Sequence, residues 1–158
     1  RGMVRGHQFN KVEMFIFCQP EDSWQMFAEL TKNTQLLVEG LGLHYQLSKL
    51  AARDCSAAMA KTYDVEVWLP SMGIYKEVSS ISNALDYQAR RGQTRYKNKD
   101  GENPFVHTLN ASGLATSRLL PAILEQNQQA DGSVRIPEGL RPYLPGSPEF
   151  IFPDNAKI

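Results

Sequence analysis

The chain has 158 residues, 42% of them apolar, with 17 basic side chains against 17 acidic ones. That is enough chain to bury a core; no stretch approaches the ~20 apolar residues of a membrane-spanning helix. The balanced charge excludes a nucleic-acid binder that relies on bulk charge, though not local arginines aimed at phosphates.

The opening "RGMVRGHQF" has a basic start but no apolar run behind it, so it does not read as a secretory signal. His7 to Phe17 reads as one strand, with Val12, Met14 and Ile16 alternating with Glu13, Phe15 and Phe17. Its apolar end predicts burial on both faces. Pro20, Glu21 and Asp22 mark a helix start: proline loses nothing at a first helical position, and acids face the positive end of the dipole. Trp24, Phe27, Leu30, Leu37 and Leu41 recur at helical spacing, and Gly40 or Gly42 ends the helix. Tyr45 to Leu50 is a short strand and Tyr63 to Leu69 a clearer one, with Val65, Val67 and Leu69 on one face and Asp64, Glu66 and Trp68 on the other. Ile74 to Ser80 is the next strand. "DYQARRGQTRY" reads alone as a basic loop, and "NKDGEN" as a hairpin turn between strands near Thr94–Lys97 and Phe105–Leu109.

A last long helix is expected from about Gly113 to Gln129, with a kink or a short first turn before Pro121. A short strand, Ser133 to Ile136, and a proline-rich tail along the surface follow. Strands joined by hairpins, with one long helix near each end, predict an α+β fold: an antiparallel sheet flanked by helices. Cys18 and Cys55 have no CxxC spacing and no histidine companions. They read as small core thiols in a reducing, cytoplasm-like compartment, with a disulfide between them left open.

Three stretches carry polar groups where packing residues are expected. In "RGHQFNKVE", Phe9, Lys11 and Glu13 share a strand face, and Arg5 precedes it. A ring can stack on a flat base and an acid can bind an amine or hydroxyl, but a merely wet amphipathic strand has the same pattern. In "YKEVSSISN", Glu77, Ser79 and Ile81 lie on one face and Ser80 begins the exit. Carboxylate and hydroxyls suit Mg²⁺; serines capping a turn fit equally. In "HTLNASGLATSRLLPAILE", a strand ends at Asn110, and Ala111, Ser112 and Gly113 turn into a helix carrying Arg118. A helix start welcomes anions, and a guanidinium clamps phosphate with two prongs; a lone helical arginine is also commonly a solvated surface group.

Together and in this order, "RGMVRGHQFNKVE", "KTYDVEVWLP", "YKEVSSISNALDYQARRGQTRY" and "HTLNASGLATSRLLPAILEQNQQADGSVRIPEGLRPYL" resemble the C-terminal half of the catalytic domain of seryl-tRNA synthetases, class II aminoacyl-tRNA synthetases. The resemblance spans residues 1–144 and leaves 145–158 as a tail. It implies a class II catalytic fold, present in part, with an antiparallel sheet cradling ATP. It implies that Arg5 reaches the triphosphate, Phe9 stacks on adenine and Glu13 lines the serine pocket. Glu77 and Ser80 would hold Mg²⁺ and the α-phosphate, Arg118 the γ-phosphate, and Asn110 and Ser112 would sit at the serine site. The implied reaction is attack of the L-serine carboxylate on the α-phosphorus of ATP, giving seryl-adenylate, then transfer to tRNA(Ser).

The family also has a tRNA-gripping coiled-coil arm, a dimer-interface motif that makes it a homodimer, and a first motif 2 strand. None is found in this sequence. The expectation is therefore the second half of a longer cytoplasmic enzyme, Arg1 falling at the tip of the motif 2 loop, with little activity alone. A truncated or degenerate relative with a non-catalytic binding or structural role is the alternative. Arg53, Ser56 and Ala111 stand where the family usually has glycine, and Pro121 is unexpected in its helix.

Overall fold

In the computed structural model, residues 3–153 are described. Arg1 lies outside them, as do the last residues of the tail. The elements are β1 (Lys11–Cys18), α1 (Ser23–Glu39), β2 (Tyr45–Lys49), β3 (Lys61–Leu69), β4 (Ile74–Leu85), α2 (Tyr87–Gly92), β5 (His107–Ala115), α3 (Thr116–Asn127), β6 (Val134–Arg135) and β7 (Phe150–Ile151). Short 3₁₀ turns cover Met3–Arg5, Pro20–Asp22 and Glu138–Tyr143.

β-Branched alternation makes β3 the heart of the fold: Val65, Val67 and Leu69 are fully buried. They belong to a five-stranded antiparallel sheet in the order β1-β5-β4-β3-β2. Helix α1 lays Phe27, Leu30, Thr34 and Val38 against it, while Trp24 and Leu37 of the expected apolar stripe remain largely exposed. Its end follows from Gly42, whose φ of +65° is the left-handed region that glycine enters without strain. Leu119, Ala122 and Ile123 of α3 join the same core. Cys18 and Cys55 are free, half-buried thiols.

Several expectations are corrected. The strand predicted from His7 begins only at Lys11. β1 pairs with β5 as far as Ala115, and α3 begins at the next residue. Asn10 exchanges its backbone bonds with Thr116, the first residue of that helix. Residues before it thus have no ladder to extend, and Met3–Arg5 coils against α3 instead. Nor is β1 buried on both faces. It is an edge among the described strands, and Val12, Phe15 and Phe17 are exposed.

β4 does not stop at Ser80 but runs to Leu85. The basic "DYQARRG" loop is a helical turn, α2, in which Asp86 holds Arg90 four residues on (Oδ2 to Nε, 2.8 Å) and Ala89 is buried. Around "NKDGEN" the hairpin does form, through backbone bonds from Val106 to Thr94, Tyr96 to Pro104 and Asn98 to Glu102, but near Thr94–Lys97 it makes a single bridge, Arg95 to Phe105, in place of a strand. β5 does not end at Asn110: Ala111, Ser112 and Gly113 remain strand, because β5 is paired on both sides up to Ala111 and β1 continues the pairing beyond it. Their small side chains let α1 lie close; a Cβ on Gly113 would already touch Leu37. α3 therefore begins at Thr116, and Pro121 falls within one continuous helical element. The tail is not merely draped on the surface, since Phe150–Ile151 pairs with Val134–Arg135. Among the described residues, no helix is long and apolar enough to cross a membrane.

Candidate active site

The functional geometry starts from an irregularity in β4. Opposite β3, Ser80 faces Asp64 and Ser79 faces Val65, but Glu66 faces Glu77, so Val78 is an extra residue. This bulge moves Glu77 to the face of Ser80 and away from that of Ser79. The sequence expectation had grouped Glu77 with Ser79 and Ile81, which is what a regular strand dictates. Instead Ser79 is buried and donates to the Ser112 carbonyl at 2.6 Å. Without the bulge, Glu77 and Ser80, three apart, would face opposite sides.

Cross-strand partners share a face, and the pairs Glu13–Ser112, Asn110–Ser82, Ser82–Thr62, Ser80–Asp64 and Glu77–Glu66 make it polar across four strands. At one end Glu13 gathers a cluster. Asn110 Nδ2 donates to its Oε1 at 2.8 Å, Ser112 Oγ to its Oε2 at 3.2 Å, and Lys11 Nζ lies 2.9 Å from Oε2. Burial pushes the Glu13 carboxyl up, but the bonds from Asn110, Lys11 and Ser112 outweigh it and hold the group below its ordinary value. All three residues implied for the serine site thus meet.

At the other end, Arg118, in the first turn of α3, reaches across to β4. Its Nη1 donates to the Glu77 carbonyl at 2.8 Å and lies 3.2 Å from Glu77 Oε2. A cavity of about 410 Å³ opens here, lined by Arg5, Glu77 and Arg118 together with Asp64, Glu66, Tyr75 and Lys76. Of the residues implied for ATP, Arg5, Glu77 and Arg118 share this space, and Ser80 borders it through its ladder partner Asp64.

Phe9 does not share it. It lines a separate hollow against Thr116, Leu120 and Ile123. The expected Phe9–Lys11–Glu13 face is not formed, because the chain leaves the sheet before Lys11, for the reason given above.

Sequence reasoning missed Asp64. Alternation had put it on the polar face with Glu66, but nothing in the pattern announced its burial. Asp64 is only 8% exposed, and its Oδ1 has no hydrogen-bond partner among the described residues. Burial chiefly pushes its carboxyl up; the Ser80 hydroxyl pulls it back in part, and the charges of Glu77 and Glu66 add to the rise.

Comparison with known proteins places the chain in a family. The tRNA synthetase class II core domain (G, H, P, S and T) matches residues 1–127. A serine–tRNA ligase of Clostridium acetobutylicum is 64% identical over 145 residues, 91% of this chain and 34% of the relative. One from Pelotomaculum thermopropionicum is 53% identical over 146 residues, 92% of this chain and 35% of the relative. Among solved structures, the seryl-tRNA synthetase of Pyrococcus horikoshii complexed with ATP superposes with a TM-score of 0.90 at 40% identity, over 96% of this chain and 34% of the other. The cytoplasmic serine–tRNA ligase of Naegleria fowleri in complex with AMP gives 0.88 at 38% identity, over 98% of this chain and 36% of the other. The chain spans about a third of the length of the curated relatives it matches.

Proposed function

The chain belongs to the class II tRNA synthetase core-domain family, and from that premise we propose that it forms the ATP-binding part of a serine–tRNA ligase. The main support is the bulge at Val78, which puts Glu77 and Ser80 on one face beside Arg118 and Arg5. In this reading Arg5 and Arg118 clamp the triphosphate with planar, two-pronged contacts. Glu77 and Ser80 hold Mg²⁺ and the α-phosphate.

The donor set fits magnesium. Glu77 engages Arg118 through Oε2, Ser80 shares its face, and one or two carboxylates with waters and phosphate oxygens are the ion's usual company. Bound there, magnesium would neutralise charge on the phosphates. The protein's own contribution is positioning and charge complementarity: L-serine's carboxylate is held for attack on the α-phosphorus, giving seryl-adenylate and pyrophosphate.

Glu13, Asn110 and Ser112 form the serine end. Serine is favoured over alanine there because its hydroxyl can join the hydrogen bonds of these polar groups and alanine offers nothing to them. For Phe9 to stack on adenine, the stretch between Arg5 and Lys11 rearranges. Residues 1–144 carry these motifs and 145–158 the tail. In the same reading the enzyme is cytoplasmic and homodimeric, and acts on tRNA(Ser) through the family's N-terminal arm.

The docking of Met3–Arg5 on α3, with Phe9 outside the ATP cavity, favours a second reading: a synthetase-like module that binds without catalysing. Serine-dependent pyrophosphate exchange separates the two. We expect weak exchange from the 158-residue chain, enhanced by a complementary fragment carrying the rest of a relative. No exchange from the mixture would leave the second reading.

A further inference from the structure

The roles above leave two acids of the polar face, Asp64 and Glu66, unassigned, and of these Asp64 is the buried one. Asp64 lines the cavity shared by Arg5, Glu77 and Arg118. It is 8% exposed, and its Oδ1 is closed to solvent with no partner among the described residues. An unpaired buried polar group costs about 1–3 kcal/mol, more when charged, so it calls for an explanation.

An ionised carboxylate only accepts hydrogen bonds. Ionised, Asp64 therefore calls for a donor or positive charge on Oδ1 beyond the Ser80 hydroxyl, and triphosphate oxygens bring neither. Arg118 is turned to Glu77 instead. The cavity also balances its charges: Arg5, Lys76 and Arg118 against Asp64, Glu66 and Glu77. A polyanion entering such a space arrives with its own cation. The register completes the case. Asp64 stands directly across from Ser80, and Glu66 directly across from Glu77, so Asp64 shares the sheet face of the two groups assigned to magnesium.

We propose that Asp64 is a further cation-binding residue of this site, supplying a carboxylate oxygen from β3 to the hydrated divalent cation that accompanies the nucleoside triphosphate; this rests on the ATP-binding reading. Among the described residues no three acidic, thiol or imidazole groups converge into a ready-made metal cage. That agrees with an ion held jointly by protein, waters and phosphate.

Mn²⁺ is the probe. Free Mn²⁺ is titrated by electron paramagnetic resonance against the 158-residue chain and ATP, for wild type and Asp64→Asn. Metal-free ATP binding in EDTA and the melting temperature are measured alongside. We expect Asp64→Asn to weaken Mn²⁺ binding in the ATP complex by about 10- to 100-fold. Metal-free ATP affinity should hold, and the melting temperature should hold or rise, because a lone buried acid is removed. A purely structural Asp64 would lower the melting temperature and leave Mn²⁺ affinity unchanged, which overturns the inference while the ATP reading stands. Wild type that binds no ATP with or without Mn²⁺ overturns both. Should Asp64→Asn not fold, the wild-type chain decides alone: Mn²⁺·ATP, but not ATP alone, should broaden the Asp64 carboxyl ¹³C resonance beyond detection, and a sharp signal refutes the proposal.

Discussion

Arg118→Met keeps the apolar stem and removes the guanidinium. In the ligand-free protein, the change deprives the Glu77 carbonyl of its 2.8 Å donor, a net loss of about 1 kcal/mol. It also removes the 3.2 Å contact with Glu77 Oε2, whose side chain is 42% exposed; solvent screening leaves such a pair worth about 0–1 kcal/mol. The expected stability loss is therefore about 1–2 kcal/mol, read as a lower urea midpoint with unchanged slope. Nucleotide binding suffers more. A charge-assisted bond to phosphate contributes about 1.5–3 kcal/mol, so the Kd for Mg·ATP should rise roughly 10- to 150-fold by calorimetry. Arg118→Lys should recover only part, since an ammonium lacks the two-pronged geometry. A folded Arg118→Met protein with ATP affinity within about twofold of wild type would refute the phosphate-clamp role.

The depressed Glu13 carboxyl favours folding at pH values above its unfolded pKa, and that contribution disappears as pH falls through the lower folded one. The urea midpoints of wild type and Glu13→Gln should therefore converge on acidification; a constant gap down to strong acid would contradict this. At Gly139 an added Cβ would come within 2.8 Å of the Gly40 backbone oxygen, so Gly139→Ala should cost about 1–3 kcal/mol, visible as a lower melting temperature. The exposed edge of β1, with Val12 at 67% and Phe17 at 61% exposure, should drive self-association at high concentration that Val12→Lys reduces. Sedimentation showing the same monomer for both would count against it.

Much of the scaffold was legible because period-two alternation and helix punctuation are local signals. They located β3, α1 and the antiparallel character of the sheet, and the resemblance added the residues of the candidate site. What escaped depends on non-local pairing. No local cue announces the extra residue at Val78, yet it decides which side Glu77 takes. The small run Ala111–Gly113 looks like a turn, and only pairing with β1 and β4 keeps it extended. Likewise, His7–Asn10 has strand composition but no neighbour to bond with once β5 gives way to α3, which carries Phe9 out of the cavity. The Asp64 burial belongs to the same class: alternation gives its face, not the depth at which it sits.

The most direct test is a thermal melt of the 158-residue chain with a non-hydrolysable seryl-adenylate analogue and Mg²⁺. A ligand at about 100 times its Kd stabilises the folded state by about 2.7 kcal/mol, which for a domain of this size raises the melting temperature by about 5–10 °C. A rise of that order, lost in Arg118→Met, is the predicted result. An unmoved melting temperature at saturating analogue would contradict a bound adenylate on the polar face of this sheet.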